Sequence, residues 1–233
     1  MYVSQHIFTP VPERLAQWTV YNRNYMSLTA RVPGALLSRI LRRIDLPEQF
    51  VAIGIWSDRE KAAEWTQSAE NKLGAQPNID QNLYGDYPME WSRWTLSEIV
   101  WSDRGALPDA PAGAVVRQLS GDGPPDRAVL RGLLALLSRQ PGFACGELHI
   151  GHKGDRWQVL LTWDDPAACA SGMAAREVVM FLDHPDCRDL VLSGVDWTVW
   201  DWVPGPCWRP QADPAMASAA ADQARTRILP PAA

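Results

Sequence analysis

The chain has 233 residues, 46% of them hydrophobic, and a formal net charge of −5. That length suits one large domain or two small ones, and the acidic balance gives no reason to expect nucleic acid or an anionic membrane as a partner. Four cysteines form no CxxC pair, and no 18-residue apolar run occurs, so the reading is a reduced, cytoplasmic protein with no metal centre and no membrane span.

Tyr2 to Phe8 reads as a strand, with Tyr2, Ser4, His6 and Phe8 alternating onto one face. Pro12 suits the first turn of a helix. Trp18, Tyr21, Tyr25, Leu28 and Val32 then recur at steps of three and four, one helical stripe that Pro33-Gly34 ends. Strands follow over Ala35–Ile44 and Gln49–Trp56, with Arg39, Arg42 and Arg43 read as a solvated edge. A helix is expected over Arg59–Leu73, a loop over 74–90 that carries Tyr84 and Tyr87, and a strand over Trp91–Trp101.

Ser102 to Gly113, rich in Pro and Gly, reads as a linker. The order then repeats. A strand is expected over Ala114–Ser120 and a leucine-faced helix over Asp126–Arg139. Two strands, Phe143–Ile150 and Arg156–Trp163, meet across the hairpin loop Gly151–Asp155. A helix over Pro166–Leu182 and a strand over Val195–Val203 complete the unit. The repeat is visible residue by residue. Pro33-Gly34 is echoed by Pro141-Gly142, Ile55-Trp56-Ser57-Asp58 by Thr162-Trp163-Asp164-Asp165, and Arg93-Trp94-Thr95-Leu96 by Asp196-Trp197-Thr198-Val199.

Each half is β-α-β-β-α-β, the ferredoxin-like split unit, whose helices cover only one sheet face. The expected fold class is therefore α+β, two tandem ferredoxin-like units packed sheet to sheet. Unit one covers 1–101, the linker 102–113, unit two 114–208, and 209–233 is an Ala- and Pro-rich disordered tail.

Val32-Pro33-Gly34, the strand pair, and Ile55-Trp56-Ser57-Asp58-Arg59-Glu60-Lys61-Ala62-Ala63 resemble the antibiotic biosynthesis monooxygenase family. Pro141-Gly142-Phe143 and Leu161-Thr162-Trp163-Asp164-Asp165-Pro166 repeat the resemblance. It implies an intramolecular version of the dimeric α/β barrel. It also implies an oxygenase that uses O₂ on an aromatic polyketide in antibiotic biosynthesis, to hydroxylate it, form a quinone or open a ring. A cyclase, an isomerase or a non-catalytic binding module of the same fold are the alternatives. O₂ is the implied cosubstrate, with no tightly bound cofactor. The angucycline ring-opening branch adds reduced flavin (FADH₂ or FMNH₂), supplied by a flavin reductase. A homodimer of the fused pair is a further expectation. The pocket-lining Trp of the family maps onto Trp56 and Trp163. The family's Asn four residues earlier is replaced by Ala52 and Val159, and Asn22 and Asn24 on the first helix are the candidate substitutes. Haem-degrading relatives carry Trp and an axial His ten residues apart. Trp65 matches the Trp, but residue 75 is Ala75, and Gly172 and Leu182 stand in the second half, which argues against that route.

Phenol oxidation needs a base, a stabiliser for the anion and a water-excluding wall. The candidate catalytic residues are His6 as base, Asn22 and Trp56. The candidate substrate-binding residues are Trp18, Tyr21, Tyr25, Trp65, Tyr84 and Trp94. His149 and His152 point to opposite faces of a strand and are poor joint metal ligands. The mixed polar-aromatic helix of the first unit suits a pocket, whereas the leucine helix of the second suits a closed core.

Overall fold

The computed structural model describes residues 1–29, 31–85, 87, 89–101, 114–183 and 187–194. Strand β1 (Tyr2–Phe8), a 3-10 turn (Pro12–Arg14) and helix α1 (Leu15–Thr29) open the chain. Then come β2 (Ala35–Arg43), β3 (Phe50–Trp56), α2 (Arg59–Gln67), α3 (Ala69–Asp80) and β4 (Glu90–Trp101). The second half runs β5 (Val115–Asp122), α4 (Arg127–Leu137), β6 (Phe143–Gly151), β7 (Arg156–Trp163), α5 (Pro166–Met173), α6 (Arg176–Leu182) and β8 (Arg188–Gly194). The fold is α+β, and both halves follow the ferredoxin-like order.

By contacts the chain forms two compact units. Among the described residues the first gathers Met1–Ile40 and Leu46–Ser92, and the second Leu41–Asp45 and Arg93 to Gly194. In the first, β3 lies between β1 and β2. In the second, the strands run β8-β5-β7-β6, all antiparallel neighbours. Leu41–Arg43 adds to the β8 edge of that sheet, and Trp94–Trp101 adds to the β6 edge.

Both Pro-Gly steps do the same work. Gly34 and Gly142 adopt φ +91 and +76, a region costly for a side chain. Each glycine carbonyl accepts a backbone N–H from just beyond the following hairpin, Ser57 at 2.8 Å and Asp164 at 2.9 Å. The next helix starts directly over the glycine. A Cβ on Gly34 would lie 2.6 Å from Lys61 Cβ, and one on Gly142 2.3 Å from Ala168 Cβ. The Asp after each strand-end Trp caps that helix. Asp58 accepts from Lys61 N, and Asp165 from Ala167 and Ala168 N.

Four expectations change. The single helix 59–73 is two, because Ser68 leaves the helix (ψ 154) and its hydroxyl caps the next one through Asn71 N. Helix α3 then runs through Pro77 to Asp80, well into the expected loop. The helix over Pro166–Leu182 breaks at Ala174 and Ala175. An additional strand, Arg188–Gly194, is the last among the described residues. Its Leu190 and Leu192 pair with Gln118 and Val116, and the Trp197-Thr198-Val199 echo that suggested a later strand lies outside the described residues. So do the linker 102–113, the tail 209–233, His184 and Cys207. Arg39 is buried rather than part of a solvated edge. Among the described residues no helix is long and apolar enough to cross a membrane.

Gly142→Ala should therefore lower stability by about 2–4 kcal/mol, from the left-handed backbone and the Ala168 clash together. Thermal melts of this variant and of Gly123→Ala, whose Cβ would meet no atom within 4 Å despite its positive φ, separate the two terms. Equal losses in the two would remove the packing argument.

Candidate functional site

The register of β1 on β3 sets Tyr2, Ser4, His6 and Phe8 opposite Trp56, Gly54, Ala52 and Phe50. This face carries the helices. At one end Trp18 of α1 packs on Phe8 and Phe50, with ring centroids 5.4 and 4.3 Å away. At the other, Tyr2, Trp56, Ala62 and Trp65 form a cluster against which Tyr25 and Leu28 of α1 pack. Helix α1 thus spans the face from Trp18 to Tyr25. Between these ends stand Ser4, His6, Ala52 and Gly54 on the strands and Tyr21 and Asn22 on the helix. Ser4, His6, Gly54 and Tyr21 are only half-buried, although β3 is flanked on both sides.

The second unit repeats this frame and fills it. Alignment of Trp163 with Trp56 in the β5·β7 register puts Arg117 where Ser4 is, Leu119 for His6, Val159 for Ala52 and Leu161 for Gly54. Leu119, Val159 and Leu161 are fully buried in one apolar core with Leu130, Leu133, Leu134, Leu137, Phe143 and Trp163. The helix position of Trp65 is Gly172 here, and the Trp163 ring occupies its space: a Cβ on Gly172 would lie 2.0 Å from Trp163 Cη2. In the first unit Trp65 is present and Trp56 lies over Gly54 instead, its Nε1 3.1 Å from a Cβ there and 3.4 Å from Ser4 Oγ. A small strand residue with a large helix residue, or the reverse, decides where the tryptophan goes.

The polar groups of the first unit are not equally available. Tyr25 donates its hydroxyl hydrogen to Asn71 Oδ1 and accepts from the Trp65 side chain. Asn71 in turn is bound to Ser68 Oγ and Thr66 O at the α2–α3 joint. Burial pushes the Tyr25 phenol up to about 12. Tyr21 stacks on Tyr25 at 5.8 Å. Its phenol is pushed well above the usual range, first by burial, then by Tyr84 and Tyr25. Among the described residues its hydroxyl makes no hydrogen bond. It is a neutral phenol whose hydrogen is donated to no described residue. Asn22 is buried and commits one N–H to the Trp18 carbonyl at 3.0 Å.

The structure thus brings together His6, Trp18, Tyr21, Asn22, Tyr25, Trp56, Trp65 and Tyr84. Tyr84 packs on Phe8 at 5.6 Å, and its segment is tied down by the fully buried Leu83, whose carbonyl accepts from Val11 N. It forms wall rather than free loop. Trp94 stands apart, buried in the second unit with the Arg156 guanidinium 4.4 Å over its ring. Sequence reasoning missed Ser4 as a site residue, whose signal was its alternation with His6. It also missed Trp91, whose ring lies 3.8 Å from that of His6. No sequence signal pairs those two, because they meet only through the sheet.

His149 is fully buried on the second unit's other sheet face. Its Nε2–H donates to Glu147 at 3.0 Å, and Gln158 Nε2 donates to its Nδ1 at 2.8 Å, the assignment that satisfies both ring nitrogens. With both committed, His149 holds β6 to β7 and has no nitrogen left for chemistry. No group of three or more metal-ligating side chains occurs among the described residues.

The fold is that of a two-unit ferredoxin-like protein whose first unit carries polar, half-buried residues where the second is filled by an apolar core. Residues 1–75 match the family model described as antibiotic biosynthesis monooxygenase. A "putative monooxygenase" of Fusobacterium nucleatum superposes with a TM-score of 0.66 at 10% identity, over 83% of this chain and 91% of that one. A "putative monooxygenase" of Lactobacillus acidophilus gives 0.57 at 9% identity, over 83% and 95%. A protein described as anthrone oxidase-like gives 0.58 at 13% identity, over 83% and 91%. These likenesses are of fold. No curated protein matches the sequence.

The Tyr25 phenol yields a pH prediction. Its folded value lies above the ordinary 10.0, so the neutral form is favoured by folding. Its contribution to stability is complete below pH 10 and is lost as pH rises through about 12. Chemical unfolding at a series of alkaline pH values should show a shallower fall for Tyr25→Phe than for the parent. Parallel curves would contradict the assignment.

Proposed function

We propose that the first unit is the active half of an oxygenase that uses O₂ to oxidise a phenolic ring system of aromatic polyketide type. The observation that carries this is the replacement of Arg117 and the core residues Leu119, Val159 and Leu161 of unit two by Ser4, His6, Ala52 and Gly54, with the neutral Tyr21 phenol on the facing helix. The family match over residues 1–75 and the fold likeness to an anthrone oxidase-like protein support the reaction class.

In this reading a planar phenol lies between α1 and the β1–β3 face. His6 takes the proton that the substrate must lose. Tyr21 donates its O–H to the oxygen on which negative charge develops, and its raised pKa keeps that hydrogen in place at neutral pH. Trp18, Trp56 and Trp65 wall off water. For an anthrone the balance closes without a reductant. The CH₂ becomes C=O, one atom of O₂ enters the product, and the other leaves as water with the two hydrogens. A hydroxylation or ring opening would take its extra electrons from reduced flavin, here a diffusible cosubstrate.

Oxygen uptake with an anthrone, corrected for the spontaneous rate and run with and without reduced flavin, tests the reading. His6→Gln should lower kcat by about 10²-fold, and Tyr21→Phe by about tenfold or more. Gly54→Leu, which imports the unit-two residue, should raise KM. Enzyme-dependent uptake that neither His6→Gln nor Tyr21→Phe alters would reject these roles. Conversion of a bound polyketide without O₂ consumption would favour a cyclase.

A further inference from the structure

We infer that Ser4 is a substrate-binding residue: its hydroxyl, oriented by the Trp56 indole N–H, donates its hydrogen to an oxygen of a ring ligand lying over Gly54. The inference rests on the oxygenase reading for the placement of the substrate between α1 and the β1–β3 face. Ser4 stands directly opposite Gly54 in the antiparallel register. The three heavy atoms nearest an ideal Cβ on Gly54 are Ser4 Oγ and Trp56 Nε1, each at 3.1 Å, and Trp56 Cε2 at 3.8 Å. The side chain that Gly54 lacks therefore leaves a notch bordered by a hydroxyl and an indole N–H. Gly54 is not among the glycines with positive φ. The backbone does not demand a glycine there, so what the residue supplies is space, as where a ligand comes close to a strand. Ser4 and Gly54 are both half-buried, which leaves the notch within reach of a ligand.

The hydrogen bonds around the notch are incompletely used. Trp56 Nε1 donates to Ser4 Oγ over 3.4 Å, long against the usual value of about 2.9–3.0 Å. The Ser4 hydroxyl hydrogen is itself donated to no described residue. A hydroxyl that accepts one bond turns its hydrogen away from that donor and becomes the stronger donor to a further acceptor. The second unit shows that the fold does not require this bond. There Arg117 stands for Ser4 and is paired with Asp189, and Leu161 stands for Gly54. The buried Trp163 Nε1 has no partner among the described residues. The serine, the glycine and the tryptophan turned toward them thus occur as a set in the first unit. Tyr21 brings a phenol from the helix side, and Ser4 brings a hydroxyl from the strand side. A ligand that engages both carries more than one oxygen, as hydroxylated quinones and anthrones do.

The test is calorimetric binding of alizarin, a hydroxylated anthraquinone, under nitrogen. Ser4→Ala should raise Kd about five- to tenfold, the loss of one hydrogen bond, with little change in melting temperature. Gly54→Ala keeps every hydrogen-bonding group and adds only a methyl in the notch; it should raise Kd by a similar factor. In a Trp56→Phe background Ser4→Ala should cost only about two- to threefold, because the hydroxyl has lost the donor that orients it. Equal Kd for the parent and Ser4→Ala would overturn the inference. So would a Gly54→Ala variant that binds like the parent, or a parent that does not bind the probe. The same factor for Ser4→Ala with and without the indole N–H would overturn the orienting role of Trp56. Binding here needs neither O₂ nor turnover, so its failure is distinct from failure of the oxygenase reading, which the oxygen-uptake assay decides.

Discussion

The site depends on a helix that must begin on top of a glycine. Gly34 and Gly142 turn in the left-handed region and offer no Cβ, which lets the first turn of α2 or α5 sit on them. The glycine carbonyl then holds the end of the hairpin through Ser57 N or Asp164 N, and the adjoining Asp caps the helix. With strand end, cap and helix start locked together, the tryptophan before them has one place from which to project. The Pro-Gly and Trp-x-Asp signatures of the two halves are thus two ends of one contact.

Once that frame is fixed, composition decides whether the space under α1 or α4 is core or site. The second unit meets the frame with leucines and a glycine on the facing helix, and Trp163 swings into the gap to complete a fully buried core. The first unit exchanges the volumes. Trp65 takes the helix side, Gly54 leaves the strand side bare, and Trp56 folds over the strand toward Ser4. What is given up is apolar burial in the centre of the sheet. What appears is a half-open floor with an imidazole, a hydroxyl and a neutral phenol. Local departures from good packing of this kind are expected at functional sites, and the tightly packed second unit offers the contrast within one chain.

The order of elements was legible because Pro-Gly, strand-end Trp and acidic cap recur with the same spacing, each with a local physical cause. The contrast between the two facing helices was also legible, in Trp18, Tyr21, Asn22 and Tyr25 against the leucines of α4. Local breaks were harder. Ser68 divides a helix because its hydroxyl caps as well as any loop residue, and helix periodicity does not register that. The strand Arg188–Gly194 went unnoticed because Trp197-Thr198 echoes Trp94-Thr95 more loudly than Leu190-Val191-Leu192 announces a strand. Roles within the site required coordinates. Only they reveal that Tyr25 is spent on Trp65 and Asn71, that Asn22 gives one N–H to its own helix, and that Tyr21 donates to no described residue. Trp91 and His6 are distant in sequence and meet through strand placement alone.

The most direct test is a crystal structure of the protein with a planar phenolic quinone, the product expected of an anthrone. The account predicts one ligand per chain, lying between α1 and the β1–β3 face, with an oxygen within hydrogen-bonding distance of Tyr21 and its edge over Gly54. A ligand seated instead under α4 in the second unit, or a first unit whose α1–sheet space remains closed at saturating ligand, would contradict it.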